Sequence, residues 1–131
     1  MHTHVLNIDK TRFDFPSLLE RINGDEEFAL ELLQMGIDSI EERIPMLQTL
    51  FDMQNWAELS NVSHALKGVS KNLSFNVLGQ KFHSLEKLTK FATGYPGARA
   101  PRIHVLVPRV GTLIREIESE FEFIKQLDLA S

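Results

Sequence analysis

The 131-residue chain contains no cysteine, so neither a disulfide framework nor a thiolate metal site can hold it together, and thiol chemistry is excluded. No uninterrupted apolar run approaches the ~18 residues of a membrane span. The opening Met1-His2-Thr3-His4 lacks the basic-then-apolar pattern of a signal peptide. A cytoplasmic location and no direct membrane insertion are the expectation. Basic residues are not in excess: 14 Lys and Arg stand against 18 Asp and Glu, a net charge of −4. That balance argues against nucleic acid as a partner, because phosphate backbones demand a basic face. Neither a Gly-rich nucleotide loop nor a Walker-type lysine motif is present, so no kinase activity of its own is expected. Strand alternation, internal repeats and low-complexity segments are missing as well. The length suits one domain spanning residues 1–131 that can bury a core without staples.

What is present is helical periodicity. Residues 1–14 are mixed in character, and 1–12 read as extended or poorly ordered. Residues 15–22 form a short helix with Pro16 in its first turn, ended by Asn23-Gly24. A long helix over about 25–53 repeats Phe28, Leu32, Met35, Ile40, Ile44, Leu47 and Phe51 at helical spacing. Its acids Asp25, Glu26 and Glu27 suit a positive helix N-terminus, while Pro45 should kink it or split it. A third helix starts near Asn55, with Glu58 three residues on as in a capping box, and buries Trp56, Leu59, Val62, Leu66, Val69 and Leu73. After a turn at Asn72-Leu73-Ser74, in which Ser74 can cap the next helix, a fourth carries Phe75, Leu78, Phe82 and Leu85 inward. Thr93-Gly94-Tyr95-Pro96-Gly97 breaks it. The last helix, about 101–127, places Ile103, Leu106, Val110, Leu113, Ile117, Phe121, Ile124 and Leu127 on one stripe, with Pro108 bending its first turns. The expected fold is all-α: an antiparallel four-helix bundle with a short additional N-terminal helix.

The third helix holds the informative segment, Ser63-His64-Ala65-Leu66-Lys67-Gly68-Val69-Ser70-Lys71-Asn72-Leu73. At ~100° per residue with Val62 at zero, Leu66, Val69 and Leu73 fall within about 40° of it and define the core side. His64 falls near ~200°, between Lys67 at ~140° and Gly68 at ~240°, with Lys71 at ~180°. The spacing thus turns an imidazole outward from the middle of a helix, with lysines beside it. Imidazoles in water titrate near neutrality, so a neutral ring nitrogen is available as a nucleophile. A glycine in a helix interior costs ~1 kcal/mol relative to alanine; here the missing side chain leaves room for another molecule to reach the ring.

His64-Ala65-Leu66-Lys67-Gly68, preceded by Ser63 and followed by Ser70, Asn72 and Leu73, resembles the signature of histidine-phosphotransfer (HPt) domains. In that signature H-x-L-K-G is followed by small residues and an N-L-G turn. The similarity extends over about residues 13–91. It includes the Phe13-Asp14 entry and the Leu85-Glu86 pair; the fifth helix rests on its pattern alone. Ser74, where glycine is frequent, and the bulky Val69 depart from the pattern. The resemblance implies a phosphocarrier of a multistep two-component phosphorelay. His64 would accept a phosphoryl group from a receiver-domain aspartate and pass it to another receiver, assisted by Lys67 and Gly68. Phosphoryl transfer relies on positioning and charge neutralisation, and the Lys67 ammonium could meet the phosphoryl oxygens. No cofactor is expected in the chain itself; Mg²⁺ would come from the receiver. The partners implied are receiver domains of response regulators or of a hybrid histidine kinase, and the expected state is a monomer.

Other residues are open to two readings. Pairing of the third and fourth helices across a turn near residue 73 puts positions around 82–86 opposite His64; Glu86, on the edge of the fourth helix's inner face, could offer its carboxylate to the second ring nitrogen, and Gln80 and His83 are rivals for that place. Ser60, Asn61 and Lys71 are candidates for contact with a partner. Leu30, Ile37 and Ile44, seven residues apart, are either core beneath the N-terminal helix or a strip on which a receiver docks. Lys81, Lys87 and Lys90 read as a solvated face, mildly attractive to an acidic partner. His2 and His4 make no metal site, and His104 should be partly packed near Pro108. The alternative to a phosphocarrier is a non-catalytic helical docking or scaffold module.

Overall fold

Polar caps start the first three helices, and residues in left-handed backbone conformation stop them. The computed structural model describes residues 8–93 and 100–127, in which the elements are α1 (Phe15–Arg21), α2 (Glu26–Asp52), α3 (Trp56–Asn72), α4 (Asn76–Thr93) and α5 (Ala100–Lys125). Asp14, Asp25 and Asn55 accept the backbone N–H of Ser17, Phe28 and Glu58 respectively, which satisfies one free donor at each start. At the other ends Asn23, Gln54 and Ser74 lie at φ 62°, 54° and 63°. Each is followed by a backbone bond that reaches back across the last turn: Gly24 N–H to Leu19 O, Asn55 N–H to Leu50 O and Phe75 N–H to Ser70 O. This is the Schellman arrangement, made three times and each time with a non-glycine residue in the left-handed position.

Helices α2 to α5 form an antiparallel four-helix bundle in which each packs on the next and α5 closes against α2, while α1 leans on α2. No described residue is in a strand, and no helix among the described residues is long and apolar enough to cross a membrane. The core runs from Leu33, Ile40 and Leu47 of α2 through Leu59 and Leu66 of α3 and Phe82 and Leu85 of α4 to Ile114, Ile117 and Ile124 of α5, all fully buried.

Three expectations are corrected here. First, residues 8–14 are not loosely extended. Arg12 and Phe13 donate to Asp9 O in a turn, Asp14 N–H donates to Ser74 O, and Asn76 N–H donates to Arg12 O. Phe13 is fully buried, its ring 5.9 Å from Phe15 and 5.2 Å from Phe75, and the Arg12 guanidinium donates to both oxygens of buried Glu120 on α5 at 3.3 and 2.9 Å. Second, the buried stripe of α2 is Ala29, Leu33, Gly36, Ile37, Ile40, Leu47 and Leu50; Phe28 and Met35 are exposed. Apolar residues make up nearly half of that helix, so the sequence supports two adjacent stripes. Close approach decides between them: a Cβ at Gly36 would collide with the side chain of Leu73, the residue that follows α3. Third, Pro45 does not split α2. It is exposed, so the carbonyl that loses its partner can turn to water.

Ser74 does not cap α4 through its side chain: its Oγ accepts from Arg21, which also donates to the carbonyls of Lys71 and Asn72 at the end of α3. His104 is exposed rather than packed. His2, His4, the breaker at 94–97 and the side chain of Ile103 lie outside the described residues.

Of the left-handed residues Gln54 is exposed and its side chain makes no hydrogen bond among the described residues, so glycine there should relieve backbone strain at little cost. Gln54→Gly is expected to raise the free energy of unfolding by about 0.5–1 kcal/mol in urea titration, the left-handed penalty less the added freedom of the unfolded chain. An unchanged or lower midpoint would contradict this account of the turn.

Candidate functional site

α3 turns its polar side out because Leu59, Val62, Leu66 and Ser70 are held in the core beneath it. That rotation leaves the His64 side chain 67% exposed in the middle of the helix. One turn on, a Cβ built on Gly68 would meet nothing within 4 Å, so the approach to the ring over this residue is open. On the opposite side α3 and α4 lie close: a Cβ at Gly79 would come within 2.9 Å of the Lys71 stem. The pairing set by the turn at 73–75 brings Glu86 of α4 level with His64.

The Glu86 carboxylate is buried, with only 5% of its side chain exposed, and binds three cationic or donor groups. Its Oε2 lies 2.8 Å from His64 Nδ1, and its Oε1 accepts from Lys67 Nζ at 2.7 Å. Lys90, one turn further along α4, places Nζ 3.3 Å from Oε2. Burial pushes the Glu86 carboxyl up, but hydrogen bonds from Lys67, His64 and Lys90 outweigh it and bring the carboxyl down from its ordinary 4.5 to about 2. Glu86 is therefore ionised near neutral pH, and an ionised carboxylate only accepts. His64 Nδ1 must then carry the proton in this bond. The lone pair of the neutral ring is left on Nε2, the nitrogen turned away from Glu86.

Among the sequence candidates, the structure brings together His64, Lys67 and Glu86, with Gly68 beside them. Gln80 is exposed and His83 half-buried, and neither bonds to His64. The Lys67 ammonium, expected from the sequence to face the phosphoryl oxygens, is also the counter-ion of Glu86. Asn61 and Lys71 are exposed as expected. Ser60 and Ile37 are buried, each 5% exposed, and cannot be contact residues on this surface. Ile37 belongs to the core. Leu30 and Ile44 are half-buried and pack on that core, Ile44 beside Phe121 in a groove between α2 and α5. Of the Leu30–Ile37–Ile44 line, only Ile37 is in the core, and the other two pack against it. Lys90 is the site residue that the sequence reading misses, although a lysine four residues after a glutamate is the favourable helical pairing. No cluster able to hold a metal ion occurs among the described residues.

Residues 31–125 match the family model described as the Hpt domain, well over half of the chain; the protein belongs to the Hpt domain family. The match takes in α5, which the motif-based resemblance leaves to pattern alone, and starts later than residue 13. No curated protein and no solved structure gives a significant match. Membership assigns the chain to histidine phosphotransfer in phosphorelays, whose Hpt domains work as phosphocarriers with receiver domains.

Because folding depresses the Glu86 pKa, its contribution to stability is fully present above 4.5 and is lost as the pH falls toward about 2. Glu86→Gln is expected to cost about 1.5–3 kcal/mol at pH 7, the range for hydrogen bonds to a charged group. The gap to wild type should close as the pH is lowered through that window. A gap independent of pH in denaturant titrations would show that the carboxylate is not held ionised by its partners.

Proposed function

We propose that His64 is the phosphoacceptor and that Nε2 is its reacting atom. The observation that carries this reading is the hydrogen bond from Nδ1 to buried Glu86, which leaves the opposite nitrogen bare, exposed and in reach over Gly68. In the forward step the Nε2 lone pair attacks the phosphorus of an aspartyl phosphate on a receiver. An N–P bond forms, the acyl O–P bond breaks, and its electron pair returns to the aspartate carboxylate. The ring keeps its Nδ1 proton and becomes cationic, and the Glu86 carboxylate stabilises that charge across a 2.8 Å contact. Transfer to a second receiver reverses the same steps.

Lys67 has three N–H donors, one of which is used on Glu86. The others are available to the phosphoryl oxygens, so the ion pair holds the ammonium in position. Gly68 keeps the in-line path clear, and Asn61 and Lys71 lie on the rim that a receiver would contact. The chain would have no autokinase activity, and the Mg²⁺ for transfer would be supplied by the receiver's carboxylates.

Incubation with a phosphorylated receiver is expected to give an acid-labile, base-stable label on the wild type and none on His64→Gln; a label that survives the substitution sinks the assignment. Gly68→Ala should separate stability from transfer. With no atom near the added methyl, the fold should gain about 0.5–1 kcal/mol in helix propensity, while the methyl stands in the path of the incoming receiver and slows transfer from it. An alanine variant that is both more stable and as fast as wild type would show that the approach does not pass over residue 68.

A further inference from the structure

The charges of this protein are sorted by face. The α3–α4 hairpin carries Lys67, Lys71, Lys81, Lys87 and Lys90 against two carboxylates, Glu58 and Glu86, while the other 16 of the 18 acids lie elsewhere in the chain. Glu86 is buried and taken up by its own partners, and Lys81 pairs with Glu116 of α5. Lys71 and Lys87 are exposed, and neither has a carboxylate partner among the described residues. The Lys71 stem lies against Gly79 on α4. Lys71 stands two helical turns from His64, ~10 Å along the axis, and Lys87 adjoins the residue that binds the imidazole. The axial separation of Lys71 is about the Debye length at ~0.1 M salt, so its charge is felt beside His64 at low ionic strength and screened as salt rises. Lys90, two-thirds exposed, adds to the same field.

We infer that this face is an electrostatic docking surface, with Lys71 and Lys87 steering a receiver domain whose surface around its aspartate is acidic. The inference rests on the phosphotransfer reading and goes beyond it by naming the partner's charge and the residues that recognise it. A compact partner that touches only this face fits better than an extended polyanion, which would run on to the acidic remainder of a chain at net charge −4. No carboxylate of the hairpin offsets the two lysines, since Glu58 lies at the far start of α3.

The test uses the full chain and two donors. One is a phosphorylated receiver with an excess of carboxylates around its pocket, compared with the same receiver after those peripheral carboxylates are changed to amides. The other is phosphoramidate, from which His64 would displace ammonia. For the double variant Lys71→Glu/Lys87→Glu, the second-order rate of transfer from the acidic receiver should fall about tenfold at low salt and come within about twofold of wild type at ~0.5 M salt. Labelling by phosphoramidate should stay within about twofold of wild type, which shows that fold and His64 are intact. The amide-substituted receiver should lose most of its dependence on both lysines. An unchanged rate at low salt, a deficit that persists undiminished at high salt, or equal sensitivity with the amide receiver would each overturn the inference while leaving the phosphotransfer reading in place. Duplex DNA competing with the receiver at the same salt dependence would overturn the receiver assignment of this face. Failure of both donors to label the wild type would overturn the phosphotransfer reading, and the inference with it.

Discussion

One buried carboxylate organises the functional face. Glu86 sits between α3 and α4 with almost no exposure and holds an imidazole, a half-buried ammonium and an exposed ammonium at 2.8, 2.7 and 3.3 Å. A charge taken out of water is costly unless it is paired and hydrogen-bonded, and here each oxygen has a partner. Because the carboxylate stays ionised, it can only accept, and that fixes which imidazole nitrogen carries the proton. The tautomer of His64 thus follows from the burial and pairing of a residue 22 positions away in the chain.

The rest of the fold keeps those two positions level. The α3–α4 turn closes through Ser74 in left-handed conformation, and two groups outside the bundle hold it there. Arg21 from α1 donates to the last carbonyls of α3, and the segment from Arg12 to Asp14 exchanges backbone bonds with Ser74 and Asn76. The bidentate contact from Arg12 to Glu120, with its guanidinium 3.4 Å over the Phe123 ring, ties the same segment to α5. Most of this strap lies before residue 31, where the family match begins, yet Phe13, Phe15 and Leu18 are core.

The amphipathic periods of α3, α4 and α5 were legible in the sequence because their apolar stripes are narrow, and the exposure of His64 followed from the ~100° rotation per residue. The stretch of α4 that faces His64 was legible too, since a turn of known position sets the register of an antiparallel pair; the choice of Glu86 over Gln80 and His83 was not, because it depends on side-chain burial and pairing. Two kinds of fact were not. The stripe on α2 was misread because Phe28 and Met35 are as apolar as the residues that are buried, and only the contact of Gly36 with Leu73 selects the face. The order of residues 8–14 was missed because it depends on pairings with residues 74, 76 and 120, sixty or more positions away. Local pattern carries no information on such contacts. Lys67 was assigned to the right surface but to a single task, since a sequence shows charges and not which of them already have partners.

The central claim is that Glu86 occupies Nδ1 and thereby reserves Nε2 for chemistry. The most direct measurement is a nitrogen–phosphorus correlation by NMR on the protein phosphorylated at His64, with the imidazole labelled with ¹⁵N. The account predicts phosphorus coupled to Nε2, with a proton still held on Nδ1 in its bond to Glu86. Phosphorus coupled to Nδ1 would contradict it.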